Sequence, residues 1–377
     1  MRSKSQQLAI IAIGLCLVFI IYHFSKNQQA SQTSVANSRV LQPMVFPEPL
    51  RSYGTPTEEY CVPQDSVYFL KIPKCASTTC FQIFVAYGVK HGLTFAVPYG
   101  PIASPERLPV DQRPPDVRYN MVVTHTRFNE EKARKVMKES AKYVACIREP
   151  ASRFESMWYF GNYEKRFHMN FDTFLKTRQY SSKQESRLNM IAIFFGINTT
   201  DPSIEREINN KAKRLNEVFD LVMISERFDE SLVLLRHLMC WNIEDVAYVK
   251  AKIRSPTYRP KFSKADKDTL RKLNNLDVIL YKFFVRIFEE KVKAFGKERM
   301  QEEIEALHRA NERLIADCGA TLTGTLKTVV TWEVKSSANV CKMISLNGSG
   351  IRQQLLSRQK KWASSNLTYD LLTWTFA

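Results

Sequence analysis

A short apolar run at residues 67–70 passes through the segment Lys71-Ile-Pro-Lys-Cys-Ala-Ser-Thr-Thr79 into a stretch with helical spacing. A strand that enters a helix through small and hydroxyl residues directs several backbone N–H groups and the positive end of the helix dipole at one point. Lys74 adds a mobile positive charge, and the hydroxyl side chains at 77–79 add donors. The segment therefore predicts a site for a phosphate or sulfate group. The alternative is an ordinary strand-to-helix turn with a surface lysine.

We call the segment 71–79 the first basic cluster. The second basic cluster, which consists of Arg148 and Ser156, follows another apolar run at residues 143–147. Arg148 comes directly after that run, and arginine can bind a phosphate through two parallel hydrogen bonds. Pro150 suits the first turn of a helix, and Ser156 lies a little over two helical turns beyond Arg148. Arg148 and Ser156 can therefore approach one ligand group only if Arg148 lies just before the helix, which is the arrangement we predict.

Short apolar strands alternate with helical stretches along the chain, which predicts a P-loop-like three-layer α/β fold with a central parallel sheet. Ligands bind at the carboxyl ends of the strands in such sheets. A predicted strand is followed directly by each of three groups, which are the predicted anion-binding segment 71–79, Arg148 and His125. We therefore expect them on one rim of the sheet, which is the edge formed by the carboxyl ends of its strands. Strands are predicted at 67–71, 121–124, 143–147 and 221–225, and helices at 76–89, 130–138, from 150, at 264–287 and at 299–316.

The two basic clusters resemble those of the sulfotransferases that use 3′-phosphoadenosine 5′-phosphosulfate (PAPS). In that superfamily, a loop similar to residues 73–78 binds the 5′-phosphosulfate, and an arginine and a serine that correspond to Arg148 and Ser156 bind the 3′-phosphate. The chain is more specifically similar to the galactose 3-O-sulfotransferase family, which includes the galactosylceramide sulfotransferases, over roughly residues 60–315. The blocks that carry this likeness are 69–79, 90–98, 124–128, 219–235 and 239–246.

The resemblance implies transfer of a sulfuryl group from PAPS, as co-substrate, to a carbohydrate hydroxyl. The favoured acceptor is the 3-hydroxyl of galactose on a glycolipid or glycoprotein, and another glycan such as a glycosaminoglycan is the alternative. Ile72, Pro73 and Cys75 stand where the family has Thr, His and Thr, so a loop histidine that could touch the acceptor is absent. The residues expected to bind PAPS are Lys71, Lys74, Cys75, Ala76, Ser77, Thr78, Thr79, Arg148 and Ser156.

His125 and Lys74 are the predicted catalytic residues. His125 would take the proton from the sugar hydroxyl, and similar membrane-bound sulfotransferases carry a histidine just after the corresponding strand. Lys74 would stabilise the oxygen that leaves with 3′-phosphoadenosine 5′-phosphate (PAP). His91 is the alternative base, although an imidazole before a glycine is also a normal helix end. We expect no metal to be required, because no His/Cys cluster has ligand spacing.

The same residues bear on three other functions. A luminal glycosyltransferase would use Asp266-Lys-Asp268 as a D-x-D metal motif, but both aspartates fall in the first turn of a predicted helix, where Ser263 and Asp266 resemble a capping box. A catalytically silent glycan-binding module is disfavoured because both basic clusters are intact. A cytosolic P-loop NTPase is disfavoured because no glycine flanks Lys74 as a Walker A motif requires.

The N-terminal region predicts a membrane-anchored protein of the secretory pathway. Residues 8–22 are uninterruptedly apolar, and a helix over 8–24 would rise about 25 Å, which suits the thinner early-secretory bilayer. A cleaved signal peptide is the alternative. We predict a single-pass type II Golgi membrane protein with a cytoplasmic tail (1–7), a signal-anchor transmembrane helix (8–24), a luminal stem (25–60), a catalytic domain (61–316) and a C-terminal extension (317–377) without evident chemistry.

Charge, cysteines and glycosylation sequons fit a protein of the secretory pathway that binds anions. The formal charge of +17 favours an anionic partner, which on charge alone is a nucleotide sulfate, an acidic glycan, nucleic acid or an anionic membrane surface. The resemblance implies PAPS and a galactose-terminated glycan or glycolipid acceptor as partners, and no nucleic acid. Seven cysteines follow the anchor, so at least one is unpaired in an oxidising lumen. We predict Cys75 and Cys146 to be unpaired and Cys318 to pair with Cys341. Sequons begin at Asn198, Asn347 and Asn366.

Overall fold

A parallel sheet is formed by four short strands, which are β1 (Val67–Leu70), β2 (Met121–Val122), β3 (Lys142–Ile147) and β4 (Leu221–Ile224). Their order is β2-β1-β3-β4, with Val67 opposite both Met121 and Lys142. All the side chains of β1 are fully buried, and successive side chains of a strand point to opposite faces. Both faces of the sheet are therefore covered. The predicted α/β fold with a central parallel sheet is confirmed.

The computed structural model describes residues 61–98, 117–177, 180–250, 253–254, 262–323, 329–346 and 348–363. All of these belong to one compact unit of the chain. Within these ranges, no helix is both long enough and apolar enough to cross a membrane. The predicted anchor at 8–24 and stem at 25–60 lie outside the described residues and stay predictions.

Helices connect the strands close to their predicted bounds. Asn129 and Glu149 begin two of them, because each side chain accepts hydrogen bonds from the first backbone N–H groups of the helix that follows. The helices are α1 (Ser77–Lys90), α2 (Glu130–Val136), α3 (Pro150–Phe160), α4 (Tyr163–Phe167), α5 (Phe171–Lys176), α6 (Ser182–Glu185), α7 (Met190–Phe194), α8 (Ile204–Val218), α9 (Phe228–Met239), α10 (Lys264–Leu273), α11 (Asn275–Phe295), α12 (Lys297–Cys318), α13 (Asn339–Ser345) and α14 (Gly348–Ala363).

The single helix predicted at 264–287 is wrong, because the chain breaks between α10 and α11 at Asn274. The Asn274 side chain donates a hydrogen bond to the carbonyl of Leu270 and accepts one from the N–H of Asn189. These bonds hold Asn274 outside helical geometry. The apolar spacing continues through the break, so the pattern alone indicated one helix.

Disulfides close two loops of the described chain. The predicted disulfide between Cys318 and Cys341 is confirmed. A second disulfide, which we did not predict, joins Cys61 to Cys240 across a sequence separation of 179 residues. It ties the segment before β1 to the end of α9. The described cysteines that remain unbridged are Cys75, Cys80 and Cys146, which confirms the prediction for the first and the third.

The described parts of the C-terminal extension pack onto the sheet domain. A small antiparallel sheet has the order β5-β7-β6, in which β5 (Ile253–Arg254) pairs with β7 (Val329–Glu333) and β7 with β6 (Thr321–Thr323). Helices α13 and α14 both contact α1. The extension therefore reaches the helix that follows the predicted anion segment.

Gly196 occupies a position that a larger residue would strain. Its φ is +79°, and a Cβ atom there would lie 2.2 Å from the carbonyl oxygen of Phe128. The N–H of Phe128 donates to the carbonyl of Phe194, whose ring lies 6.1 Å from that of His125. We expect Gly196→Ala to lower the free energy of unfolding, measured in urea, by about 2–4 kcal/mol through strain and the lost close approach.

Gly296→Ala is the matched control for Gly196→Ala. Gly296 also has a positive φ, +94°, but no atom lies within 4 Å of the position of its added Cβ. We expect Gly296→Ala to show only the conformational cost, about 1 kcal/mol. Equal losses in the two variants would show that the contact with Phe128 does not set the cost at Gly196.

Candidate active site

A cavity of about 350 Å³ opens at the carboxyl ends of β1, β2 and β3. Its volume is in the range of sites that hold small ligands. The segment after β1, His125 after β2 and Arg148 after β3 all line this cavity. The parallel order of the strands thus brings residues that are far apart in the sequence to one rim.

The backbone of the loop after β1 has an uncommon conformation. Lys74 and Ala76 have φ angles of +69° and +51°, in the left-handed region that side chains other than glycine rarely adopt. The carbonyl of Ala76 accepts hydrogen bonds from the N–H groups of Thr79 and Cys80, so α1 begins directly after the turn. Such strain persists where the surrounding structure holds it, often at ligand sites. A turn of this kind before a helix can present N–H groups to an anion.

Two lysine side chains reach the cavity and lie over aromatic rings. The Nζ atom of Lys74 is 3.9 Å from the centroid of the Phe160 ring, and that of Lys71 is 3.6 Å from the centroid of the Phe81 ring. Lys71 is only 7% exposed. Cation–π contacts therefore hold both ammonium groups in the cavity wall, where an anion would meet charges already in position.

Arg148 joins the second basic cluster to the loop. Its Nη1 donates to the carbonyl of Lys74 at 3.4 Å, and its Nε lies 3.9 Å from the carboxylate of Glu226. Arg148 lies just before α3, as predicted, and Ser156 on α3 is buried and lines the same cavity. A single ligand can therefore contact both basic clusters.

His125 has the tautomer that a general base needs. Its Nδ1 atom lies 2.6 Å from the carbonyl oxygen of Lys71. A carbonyl oxygen can only accept a hydrogen bond, so Nδ1 carries the proton and, in the neutral ring, Nε2 carries the lone pair. His125 lines the cavity together with Lys71 and Lys74. The imidazole is thus suited to take a proton from a bound hydroxyl group.

The chain matches the family model for galactose-3-O-sulfotransferase over residues 2–329. It belongs to the galactose-3-O-sulfotransferase family. Galactosylceramide sulfotransferase of Bos taurus is 34% identical over 280 residues, which cover 68% of this chain and 65% of that protein. The chain therefore spans slightly less than two thirds of the length of this relative.

Two further relatives can be aligned with a longer part of the chain. Galactosylceramide sulfotransferase of Homo sapiens is 32% identical over 344 residues, or 84% of this chain and 79% of that protein. Galactose-3-O-sulfotransferase 3 of Mus musculus is 29% identical over 338 residues, or 83% of this chain and 74% of that protein. The family relationship thus extends well beyond the two basic clusters.

The cavity is lined by most of the residues that the sequence predicts to bind PAPS or to act in catalysis. Nothing in their placement conflicts with those roles, which stay predictions. The residues concerned are Lys71, Lys74, Ala76, Ser77, Thr78, Thr79, His125, Arg148 and Ser156.

Cys75 and His91 lie apart from the cavity lining. The Cys75 thiol is fully buried and donates to the carbonyl of Pro73 with an Sγ to O distance of 3.7 Å, and burial raises its pKa to about 12. Cys75 could therefore bind a donor only through its backbone. His91 ends α1, is exposed, and packs on Tyr87 with ring centroids 4.3 Å apart. His91 thus lies at a helix end, outside the lining of the cavity that holds His125.

Helix α14 contributes cavity residues that the sequence analysis missed. Gly348, Ser349 and Arg352 line the cavity, and Arg352 donates a hydrogen bond to the carbonyl of Pro98. No motif marks these residues, and the match to the galactose-3-O-sulfotransferase family model ends at residue 329, before α14 begins. Only the folded chain brings them to the rim.

The D-x-D sequence has a structural role. The carboxylate of Asp266 accepts from the N–H of Ser263 at 2.9 Å, and the Ser263 hydroxyl accepts from the N–H of Asp266 at 3.1 Å, so the predicted capping box is confirmed. Asp268 pairs with Arg271 at 2.7 Å. In the part of the chain that the structure describes, no cluster of His, Cys, Asp or Glu could hold a metal ion. The glycosyltransferase alternative thus loses the motif on which it rested.

The three sequons differ in what the structure describes. Asn198 is exposed, and its side-chain oxygen accepts hydrogen bonds from the N–H and hydroxyl groups of Thr200 in the same sequon. Asn347 and Asn366 lie outside the described residues. Asn198 is accessible for glycosylation, which stays a prediction at all three positions.

Proposed function

We propose that the chain transfers a sulfuryl group from PAPS to the 3-hydroxyl of galactose on a glycolipid or glycoprotein. The observation that carries this proposal is the contact between the two basic clusters, in which Arg148 donates to the carbonyl of Lys74 in the cavity that His125 also lines. PAPS is anionic both at its 5′-phosphosulfate and at its 3′-phosphate. The names of the related galactosylceramide and galactose sulfotransferases support galactose as the acceptor.

The donor would lie along the rim from β3 to β1. The backbone N–H groups and hydroxyls of the loop, including those of Ser77 and Thr78, would hold the 5′-phosphosulfate at the start of α1. Arg148 and Ser156 would hold the 3′-phosphate, since a guanidinium can donate two parallel hydrogen bonds to a phosphate. The charges of Lys71 and Lys74 would offset those of the phosphosulfate.

The transfer is an in-line displacement at sulfur. A bond forms between the sugar oxygen and sulfur as the bond from sulfur to the bridging oxygen of the 5′-phosphate breaks, which releases PAP. Nε2 of His125 takes the proton of the attacking hydroxyl. The ammonium of Lys74 neutralises the charge that develops on the bridging oxygen. The protein thus mainly positions the groups and compensates charge.

The proposal includes the cellular setting predicted from the sequence. The chain would be a single-pass type II Golgi membrane protein, with its anchor at 8–24 and a luminal, P-loop-like three-layer catalytic domain. The disulfides Cys61–Cys240 and Cys318–Cys341 support a luminal domain, because such bonds persist in oxidising compartments. Mass spectrometry of the mature N-terminus tests the anchor, since a cleaved signal peptide would remove residues 8–24.

A transfer assay with radiolabelled PAPS tests the reaction and the acceptor together. Galactosyl lipids, N-acetyllactosamine glycans and glycosaminoglycans are offered separately, and the product is analysed by NMR. We expect transfer to the galactosyl acceptors with the sulfate on O3 of galactose. Transfer to glycosaminoglycans alone would contradict the proposed acceptor. If no acceptor received a sulfuryl group from PAPS, the proposed reaction itself would be contradicted.

Arg148→Ala is expected to weaken PAP binding by at least about tenfold, because charge-assisted hydrogen bonds to the 3′-phosphate are lost. The affinity for AMP, which lacks that phosphate, should change little. Isothermal titration calorimetry with the two nucleotides measures both affinities. The difference between them isolates the 3′-phosphate from the rest of the nucleotide.

Arg313→Ala is the control for Arg148→Ala. Arg313 is exposed, pairs with Glu244 at 2.9 Å and does not line the cavity. Its removal takes away the same charge and should leave both affinities unchanged. Equal loss of PAP and AMP affinity in Arg148→Ala would show that Arg148 does not recognise the 3′-phosphate.

A further inference from the structure

The wall of the cavity formed by α14 has no assigned role in the reaction proposed above. Gly348, Ser349 and Arg352 provide this wall, which lies beyond the region matched by the family model. A Cβ atom built on Gly348 would lie 4.0 Å from Nζ of Lys71, so the first turn of α14 passes directly beside the loop after β1. Helix α14 is therefore part of the site and not a remote appendage.

Specific hydrogen bonds dock α14 on residues 97–98. The buried side chain of Gln359 accepts from the N–H of Val97 at 2.7 Å and donates to the carbonyl of Val97 at 3.1 Å. The guanidinium of Arg352 donates to the next carbonyl, that of Pro98. Arg352 thus has a fixed position on the wall, anchored to the same segment that anchors the helix.

The order of the chain segments places this wall on one side of the rim. Phe95 forms a parallel bridge with Met121 of β2, so residues 94–96 run along the outer side of β2. The order across the rim is therefore this segment, β2, β1 and β3. Neighbouring strands lie about 4.8 Å apart, so Pro98 and Arg148 are at opposite ends of a rim several strands wide.

The proposed donor site and the proposed general base lie at different parts of that rim. The proposed donor occupies the half from Arg148, after β3, to the loop after β1. His125 follows β2 and is the next group along the rim. In an in-line displacement, the attacking oxygen approaches from the side opposite the leaving oxygen. The acceptor must therefore come in from the side of β2, where Pro98 and Arg352 form the wall.

We propose that Arg352 is a specificity-determining residue that donates hydrogen bonds to the hydroxyl groups of the acceptor sugar. This inference rests on the proposed galactose sulfotransferase function. The guanidinium has five N–H donors in a fixed planar fork, which suits adjacent sugar oxygens. The role is in binding the acceptor and not in binding the donor.

Arg352→Ala and Arg352→Lys test the role by separating acceptor from donor. We expect Arg352→Ala to raise the KM for a galactosyl acceptor by about tenfold or more, as for loss of a charged donor to a bound oxygen, with little change in kcat. Arg352→Lys keeps the charge but not the fork, so it should recover only part of the loss. The affinity for PAP, measured by calorimetry, should stay unchanged in both variants.

Lys360→Ala removes the same charge from an exposed position of α14 and should leave both acceptor KM and PAP affinity unchanged. Thermal unfolding of each variant reports whether α14 remains docked. An unchanged acceptor KM in a folded Arg352→Ala variant, or a parallel loss of PAP affinity, overturns the acceptor role. Failure of the wild-type chain to sulfate any galactoside is a different result, which contradicts the proposed function itself.

Discussion

Replacing Lys74 with alanine is expected to lower kcat by about a hundredfold or more, which corresponds to about 3 kcal/mol of transition-state stabilisation. Negative charge develops on the bridging oxygen as its bond to sulfur breaks, and the Lys74 ammonium lines the cavity at the loop that would hold this oxygen. The Phe160 ring already holds that ammonium at 3.9 Å in the cavity wall. The measurement is kcat at saturating PAPS and galactosyl acceptor.

Lys135→Ala is the control for Lys74→Ala. Lys135 is exposed on α2 and pairs with Glu131 one helical turn away. Its loss changes the net charge equally and should leave kcat unchanged. Near-full turnover by Lys74→Ala would mean that the leaving oxygen is stabilised by another group, with Lys71 as the next candidate in the cavity.

His125→Ala is expected to lower kcat by about a hundredfold to ten-thousandfold, as for removal of a general base. Residues other than His125 make the proposed contacts with the donor, so the affinity for PAP should be retained. The hydrogen bond from Nδ1 to the Lys71 carbonyl fixes which ring nitrogen accepts the proton. Added imidazole should restore part of the rate, because the truncated side chain leaves space in the cavity for it.

His91→Ala is the matched control, because His91 is the other histidine that the sequence indicated as a base. It ends α1 and does not line the cavity, so we expect its replacement to leave kcat unchanged. Unchanged turnover in His125→Ala would move the base to His91 or to a carboxylate. Loss of PAP affinity in His125→Ala would instead assign the ring to the donor site.

Local chemistry explains what the sequence could predict. The small and hydroxyl residues after β1 and the proline after Arg148 mark strand-to-helix turns, whose features depend on neighbours in the chain. Parallel pairing then requires that the residues after such strands share a rim. This is why the sequence alone predicts that His125, Lys74 and Arg148 lie together.

Long-range contacts explain what the sequence could not predict. The break at Asn274 depends on Asn189, which lies 85 residues earlier, and the docking of α14 depends on Gln359 and Val97, which are 262 residues apart. No local pattern encodes such pairings. The position of Arg352 in the cavity depends on this docking, so no pattern in the sequence indicates it.

A crystal structure of the chain with PAP and a galactosyl acceptor tests most directly whether both basic clusters hold one donor. We predict the 5′-phosphate within hydrogen-bond distance of the loop around Lys74, the 3′-phosphate on Arg148 and Ser156, and the galactose O3 beside Nε2 of His125. A nucleotide bound outside this cavity, or in it with its two phosphates exchanged, would contradict the mechanism.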